Sequence, residues 1–285
     1  MLLTNRRVVS HDSRQIGQRR QDTRLGTRQG QGGTVDVPIL MYHQISATPH
    51  PAYAQYSQST AQFARQMRWL AARGYTTLSL DSLVRCRGGA ESWPRRPVAI
   101  TIDDGYADAV RAALEVLPKH GFTATVFLVT GAVGGRSRWD AGVDLPLAGW
   151  ELVRELRQAG IHCGSHTVTH RRLTELEADA CRRELEDAKR DIEDRLGEPV
   201  RHLSYPFGAI NPEVRRLAAA AGYETGCAVT IGLSTDDDDP LMLRRVRILG
   251  TDGFADFVCR LRTGRAVSDA ARRGLRRLLG RAPSS

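Results

Sequence analysis

A chain of 285 residues with 41% hydrophobic side chains is long enough for one large core or two modest ones. No run of about 18 apolar residues occurs in it, which excludes a membrane-spanning helix. Of the net charge of +9, residues 1–34 carry +5 and residues 260–285 carry +7, so residues 35–259 carry −3, which argues against a basic nucleic-acid groove.

Residues 1–34 are rich in Arg, Gln and Gly without apolar periodicity, and they read as a disordered basic tail. From Val35 short β-rich runs alternate with amphipathic stretches. Val37–Ile45 reads as a buried strand, and Thr60–Arg73 as a helix with Phe63, Met67 and Leu70 on one face and Gly74 ending it. Thr76–Leu80 is a strand, after which Asp81 is placed as the cap of a short helix. Pro97–Ile102 is a strand running into Asp103-Asp104-Gly105, followed by a helix over Tyr106–His120 and a strand over Thr123–Thr130. Gly149–Ala159 reads as a helix and Ile161–Ser165 as a strand leading into His166. Thr174–Leu196 is the longest helix, with i,i+4 charge pairs such as Glu186–Arg190. A strand at His202–Tyr205, a helix at Asn211–Ala221, strands at Thr225–Thr230 and Val246–Leu249, and a helix from Gly253 complete the order. Asp236–Asp239 reads as a solvated loop before Pro240. The domain expected from this order spans 35–262, with a basic C-terminal tail or helix over 263–285.

Repeated strand–helix alternation predicts a parallel sheet, open or closed into a barrel. In such folds chemistry gathers where strands end, and the polar clusters DDG, SHTVTH and YPFG each follow an expected strand. Cys86, Cys163, Cys181, Cys227 and Cys259 are odd in number and scattered, so they read as free thiols rather than a disulfide framework. The first residues lack an apolar leader segment, so the chain as written is expected in the cytoplasm.

Each motif has an ordinary alternative. A lone DDG is usually a turn, but two adjacent carboxylates repel unless a cation separates their roles. His166 and His170 stand at i,i+4 after a strand, and two imidazoles with one carboxylate suit a zinc-like ion that keeps open positions. A zincin would need Glu after the first His, where Thr167 stands. His43 ends the first strand on the same face, with strand packing as the alternative. Tyr205-Pro206-Phe207-Gly208 is either a packed turn or a turn that offers the Phe207 N–H to a developing oxyanion.

Taken together, TIDDG, SHTVTH and YPFG, with PILMYHQI and GWELVRELRQAGIHCGSHTVTHRRL around them, resemble the NodB-homology polysaccharide deacetylase family over about Val37–Leu249. The resemblance implies an irregular (β/α) barrel of about seven strands in a single domain. It implies Asp104, His166 and His170 as ligands of a divalent ion, Zn²⁺ or an alternative such as Co²⁺, and Asp103 as general base. It also implies Tyr205, Pro206, Phe207, Gly208 and Arg245 as substrate or oxyanion residues, Arg245 also orienting Asp103. The chain departs from the commoner pattern by placing Ser204 where many members have Arg, and no His follows His202. The branch similar to biofilm poly-N-acetylglucosamine deacetylases carries a His on the first strand, which makes His43 the general-acid candidate. The reaction implied is release of acetate from N-acetylhexosamine residues of a glycan, without a nucleic-acid partner. The alternatives are a metal-dependent amidase acting on a small non-sugar amide, and an inactive glycan-binding relative.

Overall fold

The computed structural model describes residues 35–267; the expected tails at 1–34 and over most of 263–285 lie outside the described residues. In chain order the strands and helices are β1 (Ile39–Tyr42), β2 (Gln44–Ser46), β3 (Ser57–Ser59), α1 (Thr60–Ala72), β4 (Thr76–Leu78) and α2 (Leu80–Arg87). Then come β5 (Pro97–Ile102), α3 (Ala107–Val116), β6 (Thr125–Leu128), α4 (Trp150–Gln158), β7 (His162–Ser165) and α5 (Ala178–Leu196). The last are β8 (His202–Ser204), α6 (Pro212–Ala220), β9 (Thr225–Ile231), β10 (Leu243–Arg247) and α7 (Phe254–Thr263).

Strands β5 through β10 pair in sequence as parallel neighbours, and β1 pairs with both β10 and β5. These two pairings close seven strands into the expected parallel (β/α) barrel, with β4 lying beside the early part of β5.

Period-two alternation divides the side chains into two cores. Leu40, Tyr42, Val98, Ile100, Ile102, Val126, Leu128 and Val246 face outward into the large core under the helices. Val37, Ile39, Ala99, Phe127, Cys227 and Leu243 face inward, where Leu80 and Leu83 of α2 join them. The inner core leaves no room at Gly164 of β7, where an added Cβ would stand 2.5 Å from the Phe127 ring.

Several local expectations are corrected. The first strand stops at Tyr42, because the chain leaves the barrel at His43 and β2 pairs with β3 instead. Ser79, not Asp81, caps α2: its hydroxyl accepts from the Ser82 N–H at 3.0 Å. The helix expected to reach His120 ends at Val116, and a 3-10 turn with Pro118 at its start carries the chain to Gly121. The long helix begins at Ala178, after a separate turn at Leu173–Glu175 that buries Leu173. Arg190 pairs with Asp187 at 2.5 Å rather than with Glu186. The run Asp236–Asp239 is not merely solvated: Asp238 holds Arg244 at 2.5 Å, and Asp239 caps the turn at Pro240–Met242 and pairs with Arg215. All five cysteines are free thiols. No helix among the described residues is long and apolar enough to cross a membrane.

Candidate active site

The ends of β1, β5, β7, β8 and β10 bring His43, Asp103, Asp104, His166, Tyr205 and Arg247 around one cavity of about 220 Å³, together with His170 and Phe207. The backbone here is unusual. Five non-glycine residues adopt positive φ among those described, and four of them, Asp104, Thr167, His170 and Phe207, belong to these motifs. Each such conformation costs on the order of 1 kcal/mol or more and persists only where surrounding contacts enforce it.

Asp104 Oδ1 lies 3.3 Å from His166 Nε2 and 3.2 Å from His170 Nε2, and all three side chains are buried. Within this triad one ligand atom from each residue lies within 4.8 Å of the others, the only such group among the described residues. His166 Nδ1 sits 2.7 Å from the Ser204 carbonyl, so this nitrogen carries the proton and donates, and Nε2 turns its lone pair to the triad. His170 is held differently. Its ring stacks on Trp139 at 4.5 Å between centroids and 27° between planes, and meets the edge of Phe207 at 4.7 Å. The second oxygen of Asp104 accepts from the Tyr53 hydroxyl at 3.3 Å. The loop between the two histidines is anchored by Glu184 of α5, whose carboxylate accepts from the Val168 and Thr169 N–H groups, each at 2.9 Å. Two neutral imidazoles and a carboxylate, oriented from behind and opening on a cavity, fit a tetrahedral divalent ion that keeps a position free.

Asp103 is set one residue earlier and has different partners. Arg245 donates to it with both arms of its guanidinium, Nη1 to Oδ1 at 2.7 Å and Nη2 to Oδ2 at 2.8 Å. The Ser204 hydroxyl adds a bond at 3.1 Å. Arg245 is 1% exposed and Asp103 2%, so the pair is screened from water. Burial by itself would raise the Asp103 carboxyl, but the Arg245 charge, then His166, outweighs it and holds the group below its ordinary value. For Asp104 burial again acts upward, and the adjacent His166 and His170 outweigh it and hold the group well below its ordinary value. Arg245 is not among the cavity-lining side chains, and its charge is engaged by Asp103.

His43 lines the cavity and stacks obliquely near Tyr56, with 5.3 Å between centroids. Burial is the largest influence on its imidazole and pushes it below its ordinary value, although Asp104 and Asp103 pull it upward. In the turn after β8, Tyr205 and Phe207 line the cavity, while Pro206 and Gly208 shape the bend. Gly208 combines φ +65° with a Val229 Cγ2 that would stand 2.0 Å from any Cβ. The N–H groups of Tyr205, Gly208 and Ala209 bond to carbonyls, whereas the Phe207 N–H has no hydrogen-bond partner among the described residues.

Tyr53, Trp139, Glu184 and Arg247 were absent from the sequence expectations. Only Arg247 had a signal, since it stands two residues beyond Arg245 on the same face of one strand.

Comparisons with known proteins point to one family. The family model for polysaccharide deacetylase matches residues 90–226. YxkH of Bacillus subtilis strain 168 is 30% identical over 212 residues, covering 74% of this chain and 71% of its own. The poly-beta-1,6-N-acetyl-D-glucosamine N-deacetylase of Staphylococcus epidermidis is 22% identical over 212 residues, 71% of each chain. The deacetylase PplD of Streptococcus pyogenes, solved in complex with acetate, superposes with a TM-score of 0.71 at 26% identity, covering 80% of this chain and 99% of that one. The chain belongs to the polysaccharide deacetylase family of hydrolases.

Proposed function

We propose that this chain hydrolyses N-acetyl groups from N-acetylhexosamine residues of a glycan, releasing acetate, with a divalent ion held by Asp104, His166 and His170. The observation that carries the reading is the split between two adjacent carboxylates: Asp104 faces two imidazoles, and Asp103 faces a guanidinium. When bound, the ion, Zn²⁺ by the chemistry of this donor set, would make a water acidic and polarise the acetamide carbonyl.

The protein's own groups supply the rest. Asp103, kept ionised by Arg245, takes the proton of the attacking water. The unpartnered Phe207 N–H faces the oxygen on which negative charge develops. His43 gives a proton to the departing amine, so that acetate and a free amino sugar leave. The Trp139 and Phe207 rings hold His170 and wall off solvent on that side. The names of the relatives support the substrate class, in particular the poly-beta-1,6-N-acetyl-D-glucosamine N-deacetylase of S. epidermidis.

Acetate release from N-acetylglucosamine oligosaccharides tests this reading. Chelation should abolish it and Zn²⁺ or Co²⁺ should restore it. Turnover indifferent to chelators refutes the metal mechanism.

A further inference from the structure

The mouth of the cavity holds more cations than the proposed reaction uses. Arg245 and Arg247 share the inward face of β10, but the charge of Arg245 is engaged by Asp103. Arg247 lies closer to the strand's end, lines the cavity with His43 and Val229, and forms no ion pair with any described residue. Its Nε is buried without a hydrogen-bond partner. A buried donor left unmatched is unfavourable until a partner arrives.

Further cations stand nearby. Two clefts of about 420 and 390 Å³ adjoin the cavity through Trp139 and His170, and they bring Arg138, Arg171 and Arg172 to the same rim. Arg138 and Arg171 have no acidic partner among the described residues. Arg172 lies over the Phe207 ring at 4.4 Å and only 3.8 Å from Glu175. Arg136, by contrast, is committed to Asp144 at 2.7 Å. Counting Arg245 with these four arginines, five cations stand against Asp103, Asp104 and Asp140 in the cavity and Glu175 in the cleft. This local excess of positive charge occurs in a body, residues 35–259, that is net acidic in sequence. Exposed arginines alone are ordinary solvated surface, so the half-buried Arg247 carries the weight.

We infer that the substrate is an acetamido glycan bearing an oxyanion, phosphate or carboxylate, on or next to the sugar that loses its acetyl group, and that Arg247 binds that oxyanion. Arg138, Arg171 and Arg172 then line the path of the flanking chain. The guanidinium fork matches either oxyanion, whereas a neutral polymer leaves it unpaired. The inference rests on the deacetylase reading above and narrows its substrate.

The test compares acetate release from three oligosaccharides of equal length: N-acetylglucosamine alone, N-acetylglucosamine alternating with a uronic acid, and N-acetylglucosamine joined through phosphodiesters. One charged series should exceed the neutral one in kcat/KM by about tenfold or more, with the advantage shrinking as salt rises. Which series wins identifies the oxyanion. Arg247→Gln should lower the charged-to-neutral ratio by about tenfold, mainly through KM, and Arg247→Lys should restore part of it. Thermal melts of both variants check folding, and the exposed pair Arg138→Ala with Arg171→Ala should lower the ratio by a smaller factor. Equal turnover of all three series, or a ratio unchanged in Arg247→Gln, overturns the inference and leaves the deacetylase reading standing. Calorimetric binding separates the two: Arg247-dependent binding of a charged series without acetate release from any would refute the activity while sustaining the recognition.

Discussion

Replacing Arg245 by Met leaves the Asp103 carboxylate inside the barrel with its burial intact and its counter-ion gone. The wild-type pair joins two groups of 1% and 2% exposure through bonds of 2.7 and 2.8 Å. Breaking such a pair from one side costs about 3–5 kcal/mol, because the remaining charge is uncompensated. The Ala228 carbonyl, which accepts from Arg245 Nε at 3.1 Å, also loses its partner. The sign of the pH effect follows from the direction of the shift. In the wild type Asp103 lies below its ordinary value, so its contribution to stability is present above that value and is lost as pH falls through the folded one. Without Arg245 burial dominates, the carboxyl rises, and the acidic limb of the pH–rate profile should move upward. Urea unfolding with chelator and with Zn²⁺, run beside acetate release from pH 4 to 9, measures both effects. Asp103→Asn alone should retain metal and lose turnover by about 10²–10⁴-fold. Combining Asp103→Asn with Arg245→Met removes both charges, and should recover at least about 1 kcal/mol of the stability lost in Arg245→Met alone. The reasoning fails if Arg245→Met costs under about 1 kcal/mol and its pH profile overlays the wild type.

Three further outcomes are expected. His43→Ala should lower kcat by about 10²–10⁴-fold while metal affinity, followed by competition with a chromogenic chelator, changes little; an unchanged rate returns His43 to packing. Gly164→Ala drives a methyl into the Phe127 ring and should destabilise by about 1–3 kcal/mol in urea, and a neutral result would mean that the inner core is looser than its contacts indicate. Asp81 is held down to about 2, first by His202 Nε2 at 3.3 Å, so its stabilisation is present above its ordinary value near 4 and disappears towards pH 2. Its side chain is 23% exposed, and screening reduces the linkage to about 1 kcal/mol, so Asp81→Asn should be less stable by that amount at pH 6 and the gap should close on acidification. A gap that stays constant with pH excludes this ion pair as its source.

Much of the fold was legible because the inward and outward faces of each strand alternate cleanly. Pro97–Ile102 was bounded correctly, and Asp103 and His166 were expected just beyond strand ends, whereas His43 and Tyr205, expected within strands, fall just past them. The errors fell where backbone hydrogen bonding, not hydrophobic pattern, decides the boundary: Ser79 rather than Asp81 at a cap, and the break after Tyr42. The supporting residues were hidden for another reason. Tyr53 reaches Asp104 across 51 positions, and Glu184 reaches the histidine loop from the middle of a charged helix where it resembles its solvated neighbours. The Ser204 departure is explained by packing. A small hydroxyl at that strand end bonds both Asp103 and the guanidinium entering from β10, which occupies the room a local arginine would need.

The pairing of Asp103 with Arg245 spans 142 positions, and it also spans the closure of the barrel. While the chain is being synthesised, the DDG turn and both histidines emerge well before the strand that supplies the guanidinium. Until β10 slots between β9 and β1, the carboxylate proposed to abstract a proton has no reason to stay both buried and ionised. On the proposed mechanism, any form without β10 in place lacks the paired base, so a strand that closes the barrel also completes the site.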